Sequence, residues 1–354
     1  MNKIVFVVPD MAGGGTEKVV TLLANEYVSR GIEVGILTFA GNEYAYPLDE
    51  RVEKYSAAMP SNGSLMVRLK RIACMRRYFR KNRGCRIFSF STIGTGFVVL
   101  ATLFMGRNML VAERTDPQTC DHKPYRNFFY CFAKKLVCQT PDGVKCFPKN
   151  LQKKACVIGN PVSDGLAEVY TGTRKKEIVT VGRLHPVKNQ RMLLEAFSLF
   201  ERQFKDYTLH FFGKGSLEGE LKEQAGKLGI KEKVIFHGFS DRVDLDICKS
   251  SMFVLSSNYE GVSNSMVEAL ALGLPVIATD CPIGGCRMYI EPEVNGLLVP
   301  VGDAKALADA MCRLAGNQEL AERMSRNAAK VRTEYSIGKI ADLMLQAAGG
   351  MEKI

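Results

Sequence analysis

Short apolar runs alternate with longer amphipathic stretches along almost the whole chain, and midway the alternation starts again. Lys3–Pro9, Glu33–Phe39, Arg86–Ser91, Met109–Glu113 and Leu136–Gln139 read as buried strands. The rhythm resumes at Glu177–Val181 and continues through Thr208–Phe212, Lys233–Phe236, Met252–Leu255 and Pro275–Thr279. Apolar strands separated by helix-length patterns specify parallel sheets covered on both faces, and the restart specifies two of them. The predicted fold class is α/β, with two doubly wound parallel-sheet domains facing each other across a cleft. Asn160-Pro161 breaks the pattern, so the domains are placed at 1–165 and 166–335. Asp303 to Met351 reads as two or three helices, with a last helix in 336–354 predicted to return to the first domain.

Charge divides unevenly between the halves. Residues 1–165 carry 24 Lys/Arg against 13 Asp/Glu, whereas residues 166–354 carry 24 of each. Between Lys54 and Ala112 there are eleven Lys/Arg and no acid. Within that stretch Leu65, Leu69, Ile72, Met75 and Phe79 recur at helical spacing, so Ser64 to Arg86 reads as an amphipathic helix with cationic flanks. Two roles stay open for residues 64–86: packing on their own sheet with a solvated face, or contact with an anionic membrane surface. Eleven cysteines without a CxxC pair fit thiols kept reduced, and hence a cytoplasmic location, peripheral on the membrane if that contact is made. The first apolar run, Ile4–Val8, is too short for a signal peptide. No helix-turn-helix, RNA-recognition or zinc signature accompanies the charge, so no nucleic-acid partner is expected.

In open parallel sheets ligands bind where the carboxyl ends of strands meet loops and helix N-termini. Four constellations fall at such places. Asp10-Met11-Ala12-Gly13-Gly14-Gly15-Thr16-Glu17 follows the first strand, and its glycines allow close approach of backbone to an anion. A dinucleotide fingerprint fails here, because its third glycine position falls on Lys18. Gly182 to Asn189 follows the first strand of the second domain. There the Arg183 fork and the Lys188 point charge, five residues apart, suit the two phosphates of a nucleotide diphosphate; a solvated basic loop is the alternative. Glu260 to Glu268 follows Met252–Leu255. Glu260 lies in the loop, Asn264 starts a helix, and Glu268 sits one turn along it, with the amides near Ser263–Ser265 facing a phosphate. Glu113-Arg114-Thr115-Asp116 closes a first-domain strand, either toward a donor sugar or as a structural ion pair. Asp244-Leu245-Asp246 has the letters of a metal site but lies in a helical pattern where the two acids diverge, and no metal is expected.

Taken in order and at this spacing, these motifs resemble family-4 glycosyltransferases of the GT-B fold, which has two Rossmann-like domains, over nearly the whole chain. Arg183 and Lys188 match that family's basic pair, Glu260 and Glu268 its Glu-x7-Glu motif, and Gly14, Gly15 and Glu17 its Gly-Gly-x-Glu loop. Gly273–Thr279 and Asn295–Pro300 resemble its second-domain strands. The resemblance implies a retaining, metal-independent hexosyltransferase without a cofactor. It would transfer a hexose or N-acetylhexosamine from a UDP-sugar to a glycan or lipid-linked acceptor during cell-surface polysaccharide assembly. Arg183 and Lys188 would hold the diphosphate, Glu260 would orient the sugar and Glu268 would bind the ribose. Asn264 and Ser265 would meet phosphate, and Gly238 and Phe239 would lie near the base. Glu260, Arg183, Lys188 and Asp116 would be the catalytic residues, Gly14 and Gly15 would approach the donor, and Glu17 and Arg114 would contact donor sugar or acceptor. Two departures stand out: Arg114 and Asp116 occupy a region where many members carry histidine, and Gly284-Gly285-Cys286-Arg287 is followed by Met288 where relatives often have glutamate. A nucleotide-sugar epimerase of the same architecture is the alternative, distinguished by donor turnover without acceptor.

Overall fold

The computed structural model describes residues 3–59, 64–103 and 108–349. The chain forms two compact units: Met1–Pro161 with Ile337–Ile354, and Val162–Ser336.

The first unit holds a parallel sheet of seven strands: β1 (Lys3–Val8), β2 (Glu33–Thr38), β3 (Glu53–Ser56), β4 (Arg86–Ser89), β5 (Met109–Glu113), β6 (Lys135–Cys138) and β7 (Ala155–Val157). Their order is β3-β2-β1-β4-β5-β6-β7. The second unit repeats the plan with β8 (Lys175–Val181), β9 (Thr208–Phe212), β10 (Val234–Gly238), β11 (Ser250–Leu255), β12 (Val276–Thr279) and β13 (Gly296–Val299), ordered β10-β9-β8-β11-β12-β13. All recorded pairings of these strands are parallel. In each sheet the winding reverses beside the first strand, so β1 and β8 each end at a topological switch point.

Side-chain alternation divides the second unit's core into two. Ile178, Met252, Val254 and Ile277 join one cluster. Their neighbours Val179, Phe253, Leu255, Val276 and Ala278 join the other, since successive strand residues face opposite sides. β3 and β7 escaped the sequence pattern. β3 is mostly exposed and β7 half-buried, and each is an edge strand lacking a continuous apolar run.

Three expectations need correction. Val162 to Gly165 belong to the second unit, because the Val162 amide bonds the Tyr335 carbonyl at 2.8 Å beside a Val162–Ser336 bridge. The stretch after Asp303 forms four helices, not two or three: Ala304–Gly316, Gln318–Ala328, Val331–Glu334 and Ile337–Ala347. Asn317, extended between the first two, stops one and caps the next by accepting from the Leu320 amide at 2.9 Å. Finally, the stripe read from 64 to 86 is a helix over Leu65–Lys81 whose apolar residues split. Met75 and Phe79 are buried, whereas Leu65 is 73% and Leu69 55% exposed. Arg71 takes the buried position between them, its guanidinium 5.3 Å from the Phe97 ring.

Ile337–Ala347 packs on the helix Gly15–Ser29; residues 350–354 of the predicted C-terminal segment lie outside the described residues. The Tyr27 hydroxyl, buried, donates to the Ala341 carbonyl at 3.0 Å, and Arg30 pairs with Asp342 and with the Gly338 carbonyl. Tyr27→Phe removes one buried hydrogen bond while keeping the ring, so it lowers stability by about 1 kcal/mol. Denaturant unfolding of the purified variant checks this.

Candidate active site

The carboxyl ends of β8, β9 and β10 are laced together through main chain. Gly182 N–H bonds the Phe212 carbonyl (2.9 Å), Leu184 N–H that of Lys214 (3.1 Å) and Gly213 N–H that of Gly238 (2.6 Å). Glycine is required at these crossings. A Cβ on Gly213 would lie 2.1 Å from the Gly182 carbonyl oxygen, and one on Gly215 would lie 2.1 Å from that of Leu184. The Arg183 main chain is further fixed by Gln190, whose side chain donates to its carbonyl at 2.8 Å. The Arg183 side chain is exposed.

From there the chain makes a short turn, Pro186–Lys188, and Asn189 enters the left-handed region (φ 47°) to cap the helix Gln190–Phe200. This turn is tied to the loop after β11. The Lys188 carbonyl accepts from Ser256 Oγ (2.8 Å) and the Val187 carbonyl from Asn258 N–H (2.8 Å), while Asn189 donates to the Asn258 side chain (2.9 Å). Across these ties the Lys188 ammonium forms an ion pair with Glu260 Oε1, both side chains largely buried. The Ser257 hydroxyl donates to the same carboxylate oxygen at 2.7 Å.

Glu260 leads into the helix Asn264–Ala271, whose cap position is Ser263. Ser263 makes no side-chain cap; its hydroxyl instead bonds that of Ser265 (3.1 Å), which in turn donates to the Val181 carbonyl at 2.9 Å. Glu268, half-buried, lies one turn along the helix. The loop after β12 supports this segment from beneath. A Cβ on Gly285 would fall 1.6 Å from the Gly261 carbonyl oxygen, and Thr279 and Cys281 both donate to the Ser257 carbonyl. A cavity of about 590 Å³ opens beside it, lined among others by Asn258, Asp280, Arg287 and Val301. Arg287, in the Gly-Gly loop that departs from the family pattern, pairs with Asp280 at 3.2 Å.

Gly238 ends β10 in the left-handed region (φ 73°), and Phe239 beyond it is 69% exposed. The preceding His237 stacks on Phe212 with ring centres 4.3 Å apart. Asp244 and Asp246 do diverge: Asp244 pairs with Arg242 and accepts from the Ala167 amide, while Asp246 accepts from Ser240.

In the first unit, Gly14 caps the helix Gly15–Ser29, and the Glu17 carboxylate folds over it so closely that a Cβ would meet Oε2 at 2.4 Å. At the end of β5 the charged residues part company. The Glu113 carboxylate turns inward to accept from Tyr130 and Thr115, both at 3.1 Å. Its burial raises its pKa above the ordinary glutamate value, against the opposing pull of Arg126 and the two hydroxyls. Arg114 donates to Asn160 Oδ1 (2.5 Å), which also accepts from Gln139 (2.6 Å). Asp116 is buried and caps the turn Pro117–Thr119 by accepting from the Gln118 amide at 2.8 Å. These three therefore do not converge on one point.

Within the second unit, then, Arg183, Lys188, Glu260, Asn264, Ser265 and Glu268 sit on neighbouring strand-end segments around the β8 switch point. Sequence reasoning does not single out Ser257, Asn258, Gln139 or Asn160 as site residues. Ser256-Ser257-Asn258 was detectable, as a polar triplet directly following an apolar strand at its ligand-facing end.

Residues 168–331 match the family model of glycosyl transferases group 1. They are a glycosyl transferases group 1 domain. The chain as a whole is similar to an uncharacterized glycosyltransferase of Haemophilus influenzae, 24% identical over 97% of this chain and 98% of that one. It is also similar to the Campylobacter jejuni N-acetylgalactosamine-N,N'-diacetylbacillosaminyl-diphospho-undecaprenol 4-alpha-N-acetylgalactosaminyltransferase, 24% identical over 94% and 95% of the two chains. Its structure matches that of an Anabaena protein crystallised with UDP, at TM-score 0.83 and 18% identity over 98% and 99% of the chains. The two Rossmann-like units are those of the GT-B fold.

Gly285→Ala forces the Gly261 main chain away and with it the Glu260 loop, costing about 1–3 kcal/mol as overpacking does. Gly219→Ala, in the helix Glu218–Lys227 with open space around it, instead gains about 1 kcal/mol from helix propensity. Thermal melts of both variants give the comparison.

Proposed function

We propose that this chain is a glycosyltransferase and transfers a hexose or N-acetylhexosamine from a UDP-sugar, with retention of configuration, to a glycan or lipid-linked saccharide in cell-surface polysaccharide assembly. The observation that carries the proposal is the Lys188–Glu260 ion pair, held between two strand-end loops beside an exposed Arg183 and a helix start without a side-chain cap.

Each charge has a task once the donor enters. The Lys188 ammonium exchanges its carboxylate partner for a diphosphate oxygen, and the Arg183 fork takes a second one. First-turn amides at Asn264 and Ser265 add partial positive charge. This positive set meets the charge that grows on the leaving diphosphate, so it lowers the barrier to cleavage without a divalent cation. Glu260, released by Lys188, accepts hydrogen bonds from hydroxyls of the transferred sugar, and Glu268 accepts from the ribose. Gly238 and Phe239 border the base. An acceptor hydroxyl oxygen then bonds the anomeric carbon on the face the phosphate leaves, as the carbon–phosphate-oxygen bond breaks and the hydroxyl proton passes to the leaving phosphate. In the first unit, Gly14, Gly15, Glu17 and Arg114 contribute contacts to donor sugar or acceptor. Asp116, spent on its own turn, helps by shaping the loop that carries Arg114.

The UDP-linked, lipid-linked chemistry in this proposal draws support from the proteins above, one named for a diphospho-undecaprenol substrate and one crystallised with UDP. Among the described residues no helix is long and apolar enough to cross a membrane. Contact with a lipid-linked acceptor is assigned to the helix Leu65–Lys81, whose first turns expose Leu65, Met66 and Leu69 beside Arg68 and Lys70.

Arg183→Ala and Lys188→Ala each lower kcat/KM by about a hundredfold, in line with removal of one charge-stabilising group. Arg183→Ala leaves the thermal midpoint without ligand near that of the parent, Lys188→Ala lowers it because Glu260 loses its cation, and both abolish its rise with UDP-sugar, a rise worth about 2.7 kcal/mol at a hundred times Kd. A panel of nucleotide sugars in a thermal-shift assay identifies the donor, and near-normal turnover in both variants defeats the diphosphate assignment. In flotation, recovery with anionic vesicles exceeds that with neutral ones and falls in Leu65→Ser/Leu69→Ser; equal recovery from both vesicles removes the membrane contact.

A further inference from the structure

A cavity of about 380 Å³ lies in the first unit at the amino ends of β4 and β5, away from the strand ends that carry Glu113 and Arg114. It opens between the last turn of the helix Leu65–Lys81, the turn Asn82–Cys85 and the end of the helix Thr92–Ala101. Its floor is apolar and buried, formed by Phe79, Cys85, Ile87, Ala101 and Met109. Arg76, Arg80 and Arg83 surround that floor, and among the described residues no acidic one lines the cavity.

The helix ends explain only part of this arrangement. Arg76 donates to the Ala101 carbonyl at 3.2 Å, at the end of its helix, and Arg80 lies in a last helical turn where a cation is favoured. Arg83 stands beyond the helix, exposed like Arg80, and the chain around it from Lys54 to Ala112 holds no carboxylate to neutralise it. Guanidinium groups gathered over a non-polar floor in a concave site match a ligand with a doubly charged oxyanion at one end and carbon at the other. A carboxylate would satisfy one fork; a phosphate offers oxygens to several. We propose that this cavity is a binding site for a phosphate ester, separate from the donor site and independent of the transferase reading.

Two sources share that chemistry, a lipid headgroup and a soluble organic phosphate, and the buried floor favours the first. Calorimetric titration of the full chain with dihexanoyl phosphatidic acid below its micellar concentration, and in parallel with glycerol 3-phosphate at matched ionic strength, separates them. The lipid is expected to bind saturably and at least tenfold more tightly than glycerol 3-phosphate; the reverse order keeps the site and assigns it to a soluble ester. Arg80→Gln/Arg83→Gln, both on exposed side chains, weakens the tighter ligand at least tenfold. Arg77→Gln/Lys81→Gln removes the same charge from exposed residues of this helix that do not line the cavity, and it leaves binding within twofold. No saturable binding of either probe, or equal weakening in the two double variants, overturns the site. Because no sugar transfer or vesicle is involved, this result stands apart from the activity and flotation assays.

Discussion

Lys188 and Glu260 hold each other across two loops, and most of what surrounds them exists to keep that possible. An ion pair this sheltered contributes little net stability, since removing two charges from water offsets much of their attraction. Its worth is in readiness. Under the proposed function each partner holds the other in place until the donor arrives, and the cost of gathering charge near its diphosphate is met during folding. The ties around the pair run to main-chain atoms: the Ser256 hydroxyl to the Lys188 carbonyl, the Asn258 amide to that of Val187, and Gly285 pressed beneath Gly261. Backbone contacts of this kind tolerate little movement, which gives two opposed side chains a fixed separation although they are 72 residues apart in sequence.

Much of this was legible beforehand, for a physical reason. Buried parallel strands must be apolar throughout, so the central strands of both sheets declared themselves, as did the loops that follow them. Arg183, Lys188, Glu260 and Glu268 could be singled out because they stand on the loops and helix that follow such strands, and the structure sets them on neighbouring segments. Edge strands were missed where one neighbour and partial exposure relax the composition, as in β3. The first unit's charged run after β5 was less readable. Its residue types suggested a common target, yet Glu113 turns into the core toward Tyr130, Asp116 closes a turn and Arg114 leans on Asn160. Spacing along a loop does not fix direction, and only packing decides which way each side chain points.

The same lesson applies to the helix Leu65–Lys81. Periodicity predicted one apolar stripe, whereas Arg71 occupies a buried position on it and divides it into a packed end and an exposed end. An arginine can be buried there because its guanidinium rests against the Phe97 ring and its long stem covers apolar surface. The helix therefore serves two ends at once: Met75 and Phe79 anchor it to the sheet, and Leu65, Met66 and Leu69 remain available.

The bridge between Val162 and Ser336 has a further implication. The second unit begins and finishes at paired neighbours, so topologically it is an insertion into the first, which is left open until its last helix is made. During synthesis the amino-terminal sheet must wait for residues beyond 336 before Tyr27 finds Ala341, while residues 162–336 already contain everything needed to close on themselves. Completion of the earlier-made unit is thereby reserved for chains translated past residue 347.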